Sequence, residues 1–225
     1  LSELDEYAVE QALQIKEAGD DVEVVALTMG DDDASDAIKK ALQMGADAGI
    51  HVCDDDIHGS DAMVTSKILA AAIEKIGPDL VVTGMSSTDG GMGVMGAMLA
   101  ERLGWAQVTM GSEVSVDGGT VKLKRDTDTS TQHIEAALPA IVSVTDQSGE
   151  ARYPSMKNIM AAKKKKVDEW DLDDLDLEDA GMEASYTQVT ETNERPPKEA
   201  GRVVTDEDGS GAAELVEFLS AGKYL

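Results

Sequence analysis

Within "DEYAVEQALQIKEAG" (residues 5–19), apolar residues recur at Ala8, Val9, Ala12, Leu13 and Ile15. This is the spacing of one helix face, and Gly19 stands where a C-cap would. "VEVVALTMG" (22–30) is a nearly continuous apolar run of strand length, the pattern of a strand buried on both faces. The same reading predicts a helix over 33–47, a short strand "AGIHV" at 48–52 and a helix over 60–77 capped by Ser60 or Asp61. A strand "DLVVTG" follows at 79–84, and a helix starts near Val94. Alternating strands and helices imply βαβ units, hence a doubly wound, mainly parallel α/β sheet with ligands at the carboxyl ends of its strands.

After Trp105 the period changes. "QVTMGSEVSVDGGTVKLKRDTD" alternates around Asp117, Gly118 and Gly119, a hairpin signal, and "HIEAALPAIVSVTD" reads as one further strand. From about residue 151 the apolar content thins, apart from a short amphipathic stretch, "AAELVEFLSAGKYL", at the end. The expected division is an α/β nucleotide-binding domain over 1–150 and, over 151–225, an extended arm. With little core of its own to offset its ordering entropy, such an arm is expected to wrap a partner subunit. The chain opens at Leu1 in what already reads as the lead-in to a helix, so an N-terminal strand is expected to be missing.

Composition narrows the partners. With 45 Asp and Glu against 19 Lys and Arg, the formal charge is −26, which argues against a general binder of nucleic acid. The acid is spread along a chain that keeps its apolar periodicity, the pattern of a salt-adapted protein. A single cysteine, Cys53, leaves no internal disulfide and fits a reducing compartment. Charge or glycine interrupts every apolar run short of a membrane span, so a cytoplasmic location without membrane insertion is expected.

The densest chemistry is "TGMSSTDGGMGVMGAML" (83–99). A literal G-x-G-x-x-G falls on Gly91, Gly93 and Gly96, but Ser86 to Gly90 separate it from the strand. The acid at dinucleotide distance, Asp117, sits in the hairpin turn. No Gly-Lys-Ser/Thr follows, so a Walker loop fails too. What remains is bare backbone, the hydroxyls of Ser86, Ser87 and Thr88, and a helix N-terminus, which together suit an adenine-nucleotide phosphate; a merely tight loop is the alternative. "HVCDDDIH" gathers His51, Cys53, three aspartates and His58, yet no second ligand pair has zinc spacing, so an ordinary acidic loop is expected. His133 is read as a structural residue of a strand. "KKKK" (163–166) suits either a helix C-terminus or an acidic partner. No catalytic Ser-His-Asp constellation is discernible.

Several stretches resemble the β subunit of electron transfer flavoproteins: "ALTMG", "IKKALQMGAD", "GMSSTDGGMGVMGAMLAERLG", "KLKRDTD…LPAIVSV" and "RYPSMKNIMAAKKKK". The resemblance spans nearly the whole chain. It implies a fold related to adenine-nucleotide α-hydrolase domains and an αβ heterodimer in which FAD is shared with the α subunit. The β subunit then holds AMP, or a second FAD in electron-bifurcating members. It implies an electron carrier, not an enzyme, taking electrons from acyl-CoA or other dehydrogenases and passing them to a quinone oxidoreductase. The implied nucleotide contacts are Ser2, Glu3, Leu4, Asp5, Met29, Gly84, Met85, Ser86, Ser87, Thr88, Asp89, Gly90, Gly91, Met92, Gly93, Val94 and Met95. A partner-docking loop is implied over Tyr153, Pro154, Ser155, Met156, Lys157, Asn158, Ile159 and Met160, with Met156 where the family's docking leucine stands. Arg125 matches the arginine of the family's signature strand. Competing classes are a universal-stress-like nucleotide sensor, which would end near the core, and a nicotinamide dehydrogenase, which the loop spacing disfavours.

Overall fold

The computed structural model describes residues 1–198, 201, 203, 205, 206 and 208–224. Contacts divide the chain into two compact units, Leu1–Val189 and Thr190–Leu225. The first unit therefore runs well past residue 150.

In that unit the order is α1 (Glu3–Ala18), β1 (Val25–Met29), α2 (Ser35–Met44), β2 (Ala48–Val52), α3 (Ala62–Ile76), β3 (Leu80–Gly84) and α4 (Met95–Leu103). It continues with β4 (Ala106–Gly111), β5 (Glu113–Asp117), β6 (Thr120–Asp126), β7 (Thr131–Ala137) and β8 (Ala140–Val144). Then come α5 (Met156–Ala162), β9 (Val167–Trp170) and the single turn α6 (Gly181–Ala184). Local chemistry sets these limits. Ser2 caps α1 by accepting the Asp5 amide, and Glu3, Asp5 and Glu6 in the first turn suit its positive end. Of the two caps considered for α3, Asp61 serves: its carboxylate accepts the Met63 and Val64 amides at 2.9 and 3.0 Å. Gly77 closes α3 at φ +67°, a left-handed position that costs glycine nothing.

Strands β1, β2 and β9 form one parallel sheet in the order β1-β2-β9, and β3, β8 and β4 a second in the order β3-β8-β4. Alternate residues reach opposite layers, as the pleat requires. Leu80 and Val82 of β3 and Val142 of β8 pack with Tyr7 and Ala8 of α1, whereas Val81 and Ile141 pack with Ala70 and Ile73 of α3 and Leu99 of α4. Helices on both faces make this the doubly wound α/β architecture expected.

Three details differ from the sequence reading. "QVTMG" belongs to β4 of the parallel sheet, because Val108 and Gly111 pair with Val142 and Val144 of β8; the antiparallel part is a three-stranded sheet β5-β6-β7. The run 133–146 is two strands, since Pro139 has no amide for a ladder. Residues 167–175 supply core instead of lacking it: β9 extends the first parallel sheet, and Leu172 and Leu175 are buried beside Val52 and Ile68.

The second unit carries α7 (Gly211–Ala221), with Leu215, Val216 and Phe218 exposed. Of the arm expected over 151–225, residues 199, 200, 202, 204, 207 and 225 lie outside the described residues. No described helix is long and apolar enough to cross a membrane.

Candidate functional site

Helix α1 fixes the relation between the two parallel sheets. Its start lies against the end of β3, where a Cβ built on Gly84 would sit 2.9 Å from the Leu4 carbonyl oxygen. At its other end Lys16 pairs with Asp47, whose carboxylate also accepts the Val24 amide just before β1. β3 thus runs opposite to α1, and β1, in the layer beside it, starts next to the end of that helix. Leu27 and Val81 share a core cluster, which places the two strands in that layer. Ser2, Leu4, Asp5 and Gly84 therefore meet at the carboxyl end of β3, where an open α/β sheet binds ligands and from which the 85–95 segment departs, while Met29 stands at the carboxyl end of β1.

The loop there is shaped for close approach. Gly91 and Gly93 hold φ of +62° and +64°, which side chains with a Cβ rarely adopt. Residues 87–93 are exposed, and the segment runs into α4, whose N-cap, Val94, offers no side-chain acceptor to the first-turn amides. Those amides and the positive end of the helix dipole remain available to an anion. Asp89 is turned inward on its own loop: hydrogen bonds from the Ser87 side chain and the Gly90 amide hold its carboxyl below the ordinary range. Its charge organises the turn.

The 153–160 segment is only partly a loop. Tyr153 to Ser155 are irregular; Ser155 then caps α5 by accepting the Asn158 amide, so Met156 to Met160 are helical. Tyr153 is 94% exposed, Met156 75% and Met160 58%. The segment is tied down at both ends. Asn158 Nδ2 donates to the Met44 carbonyl at 3.2 Å, and Arg152 is clamped to α1 by Glu10 and Glu17. That clamp escaped the sequence reading because its members are more than 130 positions apart. The one sequence signal is the placement of Glu10 and Glu17 seven residues apart, two turns along a single helix face.

The family model of the electron transfer flavoprotein domain matches residues 1–175. The electron transfer flavoprotein subunit beta of Mycobacterium tuberculosis is 44% identical over 232 residues, an alignment covering 100% of this chain and 87% of that protein. The subunit of the same name from Syntrophomonas wolfei is 38% identical (96% and 81% covered), and that of Bacillus subtilis 34% (96% and 83%). The chain belongs to the electron transfer flavoprotein β-subunit family.

Other residues singled out in this β-subunit chain take supporting roles. Arg125, on β6, donates from Nε to the Thr109 carbonyl at 2.7 Å and from Nη2 to Thr109 Oγ1, and so braces the irregular end of β4, where Met110 has φ +63°. His51 is buried with Nε2 3.3 Å from the Gly30 carbonyl oxygen. Asp54 is used twice, accepting the Asp56 amide and, at 3.2 Å, the Leu172 amide. Among the described residues no cluster of three or more His, Cys, Asp or Glu side chains could hold a metal. His133 stands exposed on β7. The "KKKK" run follows the C-terminus of α5, and Lys165 donates to the Leu42 and Ala46 carbonyls at the end of α2, serving that helix's negative end.

Proposed function

We propose that this chain is the β subunit of a heterodimeric electron transfer flavoprotein and that its 84–95 loop holds the phosphate of AMP. In this reading it acts in the cytoplasm with an α subunit, with which it shares one FAD, and has no substrate chemistry of its own. Acyl-CoA or other flavin dehydrogenases dock on the 153–160 segment and donate electrons, and a quinone oxidoreductase accepts them. FAD supplies the reversible redox chemistry. The work of this chain is to bind, orient and present.

The observation carrying the nucleotide assignment is the conjunction of two left-handed glycines with an uncapped helix N-terminus at the carboxyl edge of the parallel layer. Backbone N–H groups there can approach phosphate oxygens without a Cβ in the way, and Ser86, Ser87 and Thr88 add hydroxyl donors. Ser2 Oγ donates to Asp5 Oδ2 at 2.6 Å at the start of α1, beside Gly84 where the loop begins. The test is to release small molecules from the α–β complex by denaturation and to count nucleotides. One AMP and one FAD per heterodimer support the assignment. Two FAD and no AMP would make it a bifurcating β subunit, and no nucleotide at all would return the loop to a purely structural role.

A further inference from the structure

The acidic surface of this chain uses one arginine in an unusual way. Arg152 directly precedes Tyr153 and the exposed segment, and its guanidinium is spread over two carboxylates of α1. Nε donates to Glu10 Oε2 at 2.7 Å, Nη2 to Glu10 Oε1 and to Glu17 Oε2 at 3.0 Å each, and Nη1 to Glu17 Oε1. The Arg152 amide adds a hydrogen bond to Glu10 Oε2 at 3.1 Å, so backbone and side chain are gripped together. Glu10 is 5% exposed, and Gln14 donates to its other oxygen at 3.0 Å. One turn position away, buried Gln11 donates to the Ser148 carbonyl at 2.9 Å, so α1 holds the backbone at 148 and again at 152. A charge buried this deeply is tolerated only because it is paired and hydrogen-bonded on both oxygens.

Beyond the clamp the chain changes character. Tyr153 is almost fully exposed, and Met156 and Met160, one helical turn apart, face solvent on the same side of α5. Two exposed thioethers and an exposed phenol on one short span offer adaptable apolar area for a partner to bury. The next ties come only at Asn158, to the end of α2, and at Lys165. The segment 153–157 is thus a short span fixed at Arg152 and at Asn158.

We propose that Arg152 is a positioning residue for partner docking: clamped by Glu10 and Glu17, it presents Tyr153 and Met156 in a fixed geometry to an apolar pocket on the electron-donating flavoprotein. The inference rests on the reading of 153–160 as the docking segment. Holding the span in its bound form removes an ordering cost that the complex would otherwise meet on association. A guanidinium suits the task because its planar fork serves two carboxylates at once, which an ammonium cannot.

The test uses the α–β complex with an acyl-CoA dehydrogenase and its acyl-CoA substrate as electron donor, and reads KM for the complex, kcat, and amide exchange over 153–158. Arg152→Gln is expected to raise KM about three- to tenfold with kcat changed less than twofold, and to speed exchange across the span. Arg152→Lys should fall between. FAD and AMP content should not change. Because Arg152→Gln leaves Glu10 buried and unpaired, the double variant Glu10→Gln/Arg152→Gln and the milder Glu17→Gln give the same reading without that penalty. A folded variant with unchanged exchange and unchanged KM overturns the proposal. So does faster exchange with unchanged KM when Met156→Ala raises KM. If Met156→Ala also leaves KM unchanged, the docking reading fails first and the proposal falls with it, whatever the exchange data show.

Discussion

Replacing Gly91 or Gly93 with valine tests the proposed phosphate cradle directly, and the two positions are not equivalent. At φ +62° and +64° each forces a β-branched residue into the left-handed region, at a cost of about 1–2 kcal/mol. A Cβ on Gly91 meets nothing within 4 Å, so the fold bears only that backbone term; a Cβ on Gly93 lies 3.3 Å from the Met85 carbonyl oxygen, which must shift slightly. Binding suffers more, because a displaced loop also forfeits at least one amide-to-phosphate hydrogen bond, worth about 1.5–3 kcal/mol. Together these amount to about 2.5–5 kcal/mol, or about two to three and a half orders of magnitude in AMP affinity where the loop relaxes in the free protein and the backbone term is met on binding. Calorimetric titration of nucleotide-stripped α–β complex with AMP measures it, alongside thermal unfolding to confirm that each variant folds. Asp117→Ala, in the β5-β6 turn, should leave binding unchanged. Valine variants that keep AMP affinity within threefold of the parent would remove phosphate binding from this loop, and loss of binding in Asp117→Ala would revive a dinucleotide reading.

Three further outcomes are expected. Met156→Ala should weaken the productive complex with an acyl-CoA dehydrogenase by about 1–3 kcal/mol, read as a rise in KM, while flavin and nucleotide content stay constant; loss of flavin together with transfer would rule out a docking role. The Asp47 carboxyl is pushed up by burial but pulled further down by Lys16 and by the Val24 amide, for a net value below its usual 3.8. Its contribution is therefore fully present above pH 3.8 and lost as pH falls through the lower native value. The gap in urea midpoint between the parent and Asp47→Asn should stay constant from pH 7 to 5 and close in stronger acid; a gap that widened on acidification would reverse the assignment. Because a net charge of −26 is self-repelling, the melting temperature should climb with KCl into the molar range, and a flat or falling curve would count against salt adaptation.

Much of the fold can be read from the residues because each boundary has a local cause. Asp61 and Gly77 bracket α3, Gly104 ends α4 in the left-handed region, and the apolar runs of β1 and β3 carry no competing signal. The glycine loop is visible for the same reason, since its conformation is written in residue type. What escapes the sequence is set by tertiary partners. The four residues "VDEW" of β9 alternate too briefly, amid acid, to stand out, and become a strand only because β2 offers an edge. "QVTMG" alternates like the hairpin after it and is drawn into the parallel sheet by β8. The grip of Glu10 and Glu17 on Arg152 joins α1 to the start of the 153–160 segment, more than 130 positions away, and no window of neighbouring residues contains both sides of it.

If this chain is one half of a flavoprotein, the visible spectrum of material purified with and without its cognate α subunit will show it. The isolated chain is expected to be colourless and the one-to-one complex yellow, carrying one FAD and one AMP. Stoichiometric FAD tightly held by the isolated chain, or two chains that neither associate nor retain flavin when expressed together, would contradict it.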